Sequence, residues 1–174
     1  FWHAQCQFFE KKYPLALKEF DDLVTTVKRH PLTPEISYRR ASTLYAMRNY
    51  TQALTEINRF LTEYFQHQRY DEAQVLKGDI LMGKGDLLAA KKVFTELTTE
   101  SGSLFLYAVF QVGKIYRALE DYEGMVKHFK IYLGHDDLVT KQRVSEALYW
   151  IGWAYAQQDN IEQSFHIFIN ELQD

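Results

Sequence analysis

The chain holds few residues that interrupt helices and few that build a metal or disulfide site. Of 174 residues, three are Pro, eight Gly and one Cys. A lone cysteine, Cys6, excludes an internal disulfide and a thiolate metal cluster. Neither charge dominates: 20 basic residues face 23 acidic ones, for a net charge of −3. Residues 1–87 carry 12 basic and 11 acidic side chains and the remainder 8 and 12, so neither half is a polycation suited to generic phosphate-backbone binding. The longest apolar run, Ala147–Ala156, is too short to cross a bilayer, and direct membrane insertion is not expected. No leader peptide is visible. The chain opens on Phe1-Trp2 rather than Met, which reads as a segment of a longer protein.

What is abundant is bulk. Hydrophobic residues make up 47% of the chain and aromatics 16%, including 12 Tyr and 12 Phe. Few breakers and many large side chains favour long helices packed on one another. The order within that bulk is a ladder. Ala4, Ala41, Gly78, Gly113 and Gly152 are each followed twelve positions later by Ala16, Ala53, Ala90, Met125 and Ser164, with steps of 37, 37, 35 and 39 between successive units. A period in this range marks an array of helical repeats. Each unit reads as two helices joined by a tight polar turn. Where two antiparallel helices cross closely, a large side chain would force them apart, so a small residue is expected at the crossing. Phe20, Ile57, Phe94, Phe129 and Phe168 are expected to fill the gap beyond it. Tyr13, Tyr50, Leu87, Tyr122 and Ile161 follow the turns and are expected to staple them.

Local signals support the same reading. Thr33-Pro34-Glu35 predicts a helix start, with Thr capping and Pro and Glu in the first turn. Gly83-Lys84-Gly85-Asp86 predicts the third turn, Gly134 the end of the fourth unit, and Ser101-Gly102-Ser103 the entry to it. The fifth unit is expected to begin near Leu138.

Residues Ala147–Tyr155, and the opening Phe1–Cys6, resemble the first helix of the tetratricopeptide repeat family, and the resemblance extends over five units in series. It implies an all-α, right-handed α-solenoid of about five helix-turn-helix repeats, at 1–33, 34–67, 68–102, 103–135 and 136–174, forming a single array. The longer steps and Tyr-x-x-Ala helix openings are similar to bacterial cell-envelope members, such as the outer-membrane assembly lipoprotein and the Tol–Pal coordinator, which implies a lean towards the periplasm. In that family the first helix of each unit lines the concave face. Carried onto this chain, the inward positions are Phe8, Tyr38, Ser42, Tyr45, Asp79, Met82, Phe110, Lys114, Arg117, Tyr149 and Trp153, a surface rich in aromatics with scattered polar groups. The Lys and Asn of the family's chaperone-binding carboxylate clamp are absent: the corresponding places hold Phe1, Gln5, Tyr38 and Ser42.

Chemistry is sparse. Gly78–Gly85 nearly spells a phosphate-binding loop, but Gly85 stands where Ser or Thr is needed and no strand precedes it. No two of His3, His30, His67, His128, His135 and His166 fall three or four apart, the spacing that places two metal ligands on one helical face. Asp21-Asp22 and Asp136-Asp137 read as solvated ends or caps. No nucleophile has a base beside it at a recognisable spacing. The expectation is a non-enzymatic module with no cofactor and no metal, binding a peptide, a helix or a protein surface. The alternatives are a self-associating section of a larger scaffold and an RNA-binding helical repeat, the last disfavoured by the acidic balance.

Overall fold

The small-residue ladder folds as helix pairs because each turn between paired helices has the same backbone conformation. Lys11, Arg48, Gly85, Glu120 and Asp159 all lie in the left-handed region, with φ of 60°, 59°, 87°, 56° and 56°. The next residue does two things at once. The N–H groups of Lys12, Asn49, Asp86, Asp121 and Asn160 donate back to the carbonyls of Gln7, Leu44, Leu81, Tyr116 and Tyr155 at 2.8–3.0 Å, closing the first helix. Their own carbonyls accept from the N–H groups of Ala16, Ala53, Ala90, Met125 and Ser164 at 2.9–3.1 Å, opening the second. The second rung of the ladder is therefore the residue whose N–H completes each turn. Side chains add caps: Asn49, Asp121 and Asn160 accept from the N–H of Gln52, Gly124 and Gln163.

In this computed structural model, which describes residues 1–27, 30–98, 104–134 and 141–171, the described residues form ten α-helices and no strands. They are α1 (Trp2–Phe9), α2 (Tyr13–Thr26), α3 (Thr33–Ala46), α4 (Tyr50–Glu63), α5 (Tyr70–Lys84), α6 (Leu87–Leu97), α7 (Phe105–Ala118), α8 (Tyr122–Leu133), α9 (Lys141–Gln157) and α10 (Ile161–His166), the last continuing as a π-helical turn at Ile167–Glu171. The chain divides into two units, Phe1–Phe94 and Thr95–Asp174. In the first, α1 to α5 pack in serial order, each on the next, and α3 also touches α5. In the second, α7 packs on α8, α8 on α9 and α9 on α10.

Both rungs of the ladder are buried. Ala4, Ala16, Ala41, Ala53 and Ala90 are fully covered, as is Met125, and Ser164 nearly so. Gly78, Gly113 and Gly152 are buried against rings sixteen residues ahead: Phe94, Phe129 and Phe168. A methyl group built on Gly78 would lie 2.7 Å from two carbons of the Phe94 ring, and one on Gly113 would lie 2.7 Å from Phe129. The second pair instead holds Ala41 with the smaller Ile57 in one cluster. The first pair buries Ala4 and Phe20 together in one cluster.

Three local expectations are corrected, and a fourth, Gly134, holds. Thr33 does not cap α3, because the helix starts at Thr33 itself; its hydroxyl accepts from His30 N–H and donates to the Val27 carbonyl, tying the entry to the end of α2. Gly83 is not in the third turn. It lies inside α5, and its missing side chain makes room for the Tyr50 ring, 2.5 Å from where a Cβ would stand. Ile161 does not staple the last turn; it is 65% exposed. Gly134 does end α8, but with an ordinary right-handed φ of −78°. Ser101-Gly102-Ser103, His135, Asp136-Asp137 and Leu138 lie outside the described residues.

Candidate functional site

In the first unit, Tyr38, Ser42 and Tyr45 share one face of α3, following one another at spacings of four and three, and α5 carries Asp79 and Met82. Tyr38 is half-buried, its ring 5.9 Å edge-on from Phe60. The guanidinium of Arg69 sits 5.3 Å over one side of that ring and Arg39 lies 5.9 Å from it. Both arginines are held by Glu35, at 3.2 Å from Arg39 and 2.5 Å from Arg69, and Arg69 also pairs with Glu72. Burial, and then the Glu72 charge, push the Tyr38 hydroxyl up from its ordinary range. Ser42 donates to the Tyr38 carbonyl at 2.9 Å. Tyr45 leans on Tyr50 at 6.1 Å, and burial followed by the nearby Asp79 carboxylate raises its hydroxyl as well. Met82 is half-buried on the last turn of α5. Phe8 stands apart from this group: it is half-buried against Tyr13 and the cluster of Ala4, Ala16 and Phe20.

In the second unit, Phe110, Lys114 and Arg117 share one face of α7 and line a cleft of about 310 Å³, counting the space open to solvent. The opposite wall comes from α9, through Glu146 and Trp150, and Met125 and Phe129 of α8 contribute beneath. Arg117 stacks on Trp150 with its guanidinium carbon 5.2 Å from the ring centre. Arg143 lies 5.2 Å over Phe110 and pairs with Glu146 at 2.5 Å. Lys114 and Arg117 are exposed, and among the described residues neither has an acidic partner within ion-pair distance. Tyr149 is 47% exposed and packs on Trp150 and Phe168, at 5.2 and 6.0 Å. Trp153 is half-buried between Trp150 and Tyr122.

Reading the sequence by offsets from Gly152 selects Tyr149 and Trp153 and passes over Glu146 and Trp150, which line the cleft. A stripe at spacings of three, four and three, Arg143, Glu146, Trp150 and Trp153, would have found them. Among the described residues no group of three His, Cys, Asp or Glu side chains is placed to hold a metal ion. Among the described residues no helix is long and apolar enough to cross a membrane.

Residues 146–168, from Glu146 in α9 to Phe168, match the family model described as a tetratricopeptide repeat. No curated protein matches the chain. Solved structures do. The apo form of RapI aligns with a TM-score of 0.76 at 16% identity, covering 97% of this chain and 66% of that one. The nearly identical TPR-like repeats of a putative kinesin light chain from Podosopora anserina align at 0.75 and 11% identity, covering 98% and 91%. MamA from Desulfovibrio magneticus RS-1 aligns at 0.73 and 17% identity, covering 98% and 90%. Likeness at this level of identity establishes a shared fold, that of the tetratricopeptide-repeat solenoid.

Proposed function

We propose that this chain, which has the tetratricopeptide-repeat fold, is a non-enzymatic protein-interaction module that receives a peptide, a helix or another protein's surface on the first helices of its repeats. The carrying observation is the arrangement on α7 and α9, where aromatic rings and two cations free of acidic partners surround an open cleft. Rings of this kind offer contact area at low entropic cost, and the two exposed cations beside them can meet acidic groups on a partner. The half-exposed Tyr45, Ser42 and Met82 on α3 and α5 extend the same reading to the first unit. The experiment is site-specific photo-crosslinking of the protein in its source cells. A photoreactive residue at Ser42, Met82 or Tyr149 is expected to capture a partner, while one at the exposed second-helix positions Thr55 or Lys127 does not. Equal capture from both sets overturns the reading.

A second reading is self-association. It is favoured by the exposed apolar side chains of α1 and α2, Trp2, Phe9 and Leu15, and of α10 and its continuation, Ile161, Phe165 and Ile169. Light scattering across a concentration series separates the two: a mass that stays monomeric removes this reading and leaves the first intact.

A further inference from the structure

The α7–α9 cleft carries more information than a general contact face, because its charge and its apolar interior point to one class of ligand. We infer that it takes an acidic peptide segment: an aliphatic or aromatic side chain enters the cleft while a neighbouring Asp or Glu carboxylate reaches Lys114 and Arg117. This rests on the protein-interaction reading and narrows it to a ligand chemistry.

Three features support the assignment. The cleft is small, about 310 Å³ with open solvent included, and its inner surface is Phe110, Met125, Phe129 and Trp150, which suits one apolar side chain better than a cofactor. Its rim is cationic. Lys114 and Arg117 lie three residues apart on one face of α7, and the acid that lines the cleft, Glu146, is engaged by Arg143 at 2.5 Å rather than by either of them. Counting every charged group at the cleft gives Lys114, Arg117 and Arg143 against Glu146, an excess of two positive charges in a chain whose net charge is −3. Finally, Arg117 is held in place. Its guanidinium carbon lies 5.2 Å from the centre of the Trp150 ring, a cation–ring contact that holds the charge at the rim of the cleft beside Lys114. A single-stranded nucleic acid would also combine rings with cations, but it needs a continuous basic track, and the cleft has only two uncommitted cations.

The test is an NMR titration of the 174-residue chain. The probe is a peptide of about eight residues, the length an extended segment needs to cross one repeat face, with one Leu flanked by Asp and Glu in a Gly-Ser background. The expected result is shifts at the Trp150 indole N–H and the Gly113 and Arg117 amides, with weaker binding at higher salt. Lys114→Gln with Arg117→Gln should weaken the peptide roughly tenfold or more, as should Asn and Gln in place of the peptide's acids. Both substituted residues are exposed, so the remaining spectrum reports that the fold is kept. As a gain of function, Lys114→Glu with Arg117→Glu should turn the preference to the same peptide with Lys in place of its acids. The inference is overturned if the amide peptide or an oligouridylate binds as well as the acidic peptide, if the double variant binds undiminished, or if millimolar peptide shifts nothing at the cleft. Capture by the Tyr149 photo-crosslinker would survive any of these outcomes, and failure of both experiments would remove the broader reading too.

Discussion

Gly78 and Phe94 offer a direct test of why the ladder exists. Replacing Gly78 with Ala adds one methyl group inside α5, and on helix propensity alone this stabilises by about 1 kcal/mol. The structure argues the opposite sign. The new carbon would stand 2.7 Å from Cε1 and Cε2 of Phe94, whereas ordinary contact begins at 3.4 Å, so the helices or the ring must give at least 0.7 Å, the difference between the two. Phe94 is fully buried and cannot swing aside. Overpacking of this kind costs about 1–3 kcal/mol, leaving a net loss of up to about 2 kcal/mol for Gly78→Ala. The second repeat suggests the compensation, since it pairs Ala41 with Ile57. In a Phe94→Ile background the clash is gone, and Gly78→Ala should become stabilising by about 1 kcal/mol. The double-mutant cycle therefore predicts a coupling of about 1–3 kcal/mol between the sites. Urea unfolding followed by helical circular dichroism measures the four corners, and amide exchange in α5 and α6 reports whether the loss is local. Additivity within about 0.5 kcal/mol, or a Gly78→Ala protein more stable than the parent, would refute the steric account of the ladder.

Other expectations concern the turns, the interior and the ion pairs. Glu120 is held in the left-handed conformation with φ of 56°, so Glu120→Gly should stabilise the α7–α8 pair by up to about 1 kcal/mol, read as a raised urea midpoint with an unchanged slope. His128 is half-buried, its Nε2–H directed at the Val109 carbonyl at 2.9 Å, and desolvation lowers its pKa below the ordinary 6.5. The unfolded chain then binds the proton first, so stability should fall as pH drops below about 6.5 and level off below the folded-state value; His128→Gln should flatten thermal midpoints measured between pH 7 and 5. Arg40 joins three helices, through Asp21 on α2 at 2.5 Å and Glu56 on α4 at 2.6 Å, and Arg40→Ala should cost about 1–2 kcal/mol in urea unfolding, with Glu56 left to Arg59 at 2.9 Å as its remaining partner.

The parts of the fold that could be read from the sequence are those where sterics restrict residue type. A crossing admits only small side chains, so Ala41, Gly78 and Gly113 leave a visible mark, and the Phe sixteen residues later follows from the space a glycine vacates. The turns could be placed by their polar residues, but their backbone conformation could not be read. Lys11, Arg48, Glu120 and Asp159 adopt the conformation usually given to Gly, and nothing in their chemistry announces it; the hydrogen bonds on either side impose it. Gly83 misled for the converse reason. A glycine beside Lys84-Gly85 resembles a turn, yet its role is to admit Tyr50 from another helix, a distant contact with no local signature. The face of α7 was legible because Phe110, Lys114 and Arg117 recur at helical spacing. On α9, Trp150 was missed because offsets counted from Gly152 assume that every first helix presents the same angular stripe.

The doubly used turn residue also constrains how such a chain can change length. Asn49 or Asp121 ends one helix and begins the next with no residue to spare, so a single insertion there would break both hydrogen-bond sets and swing the second helix about a quarter-turn around its axis. The twelve-residue interval between paired small residues is accordingly constant in all five units, while the interval from one unit to the next drifts between 35 and 39. Growth, trimming and grafted loops are thus channelled into the joints between hairpins, where a designer should place any added sequence and where relatives should differ most in length.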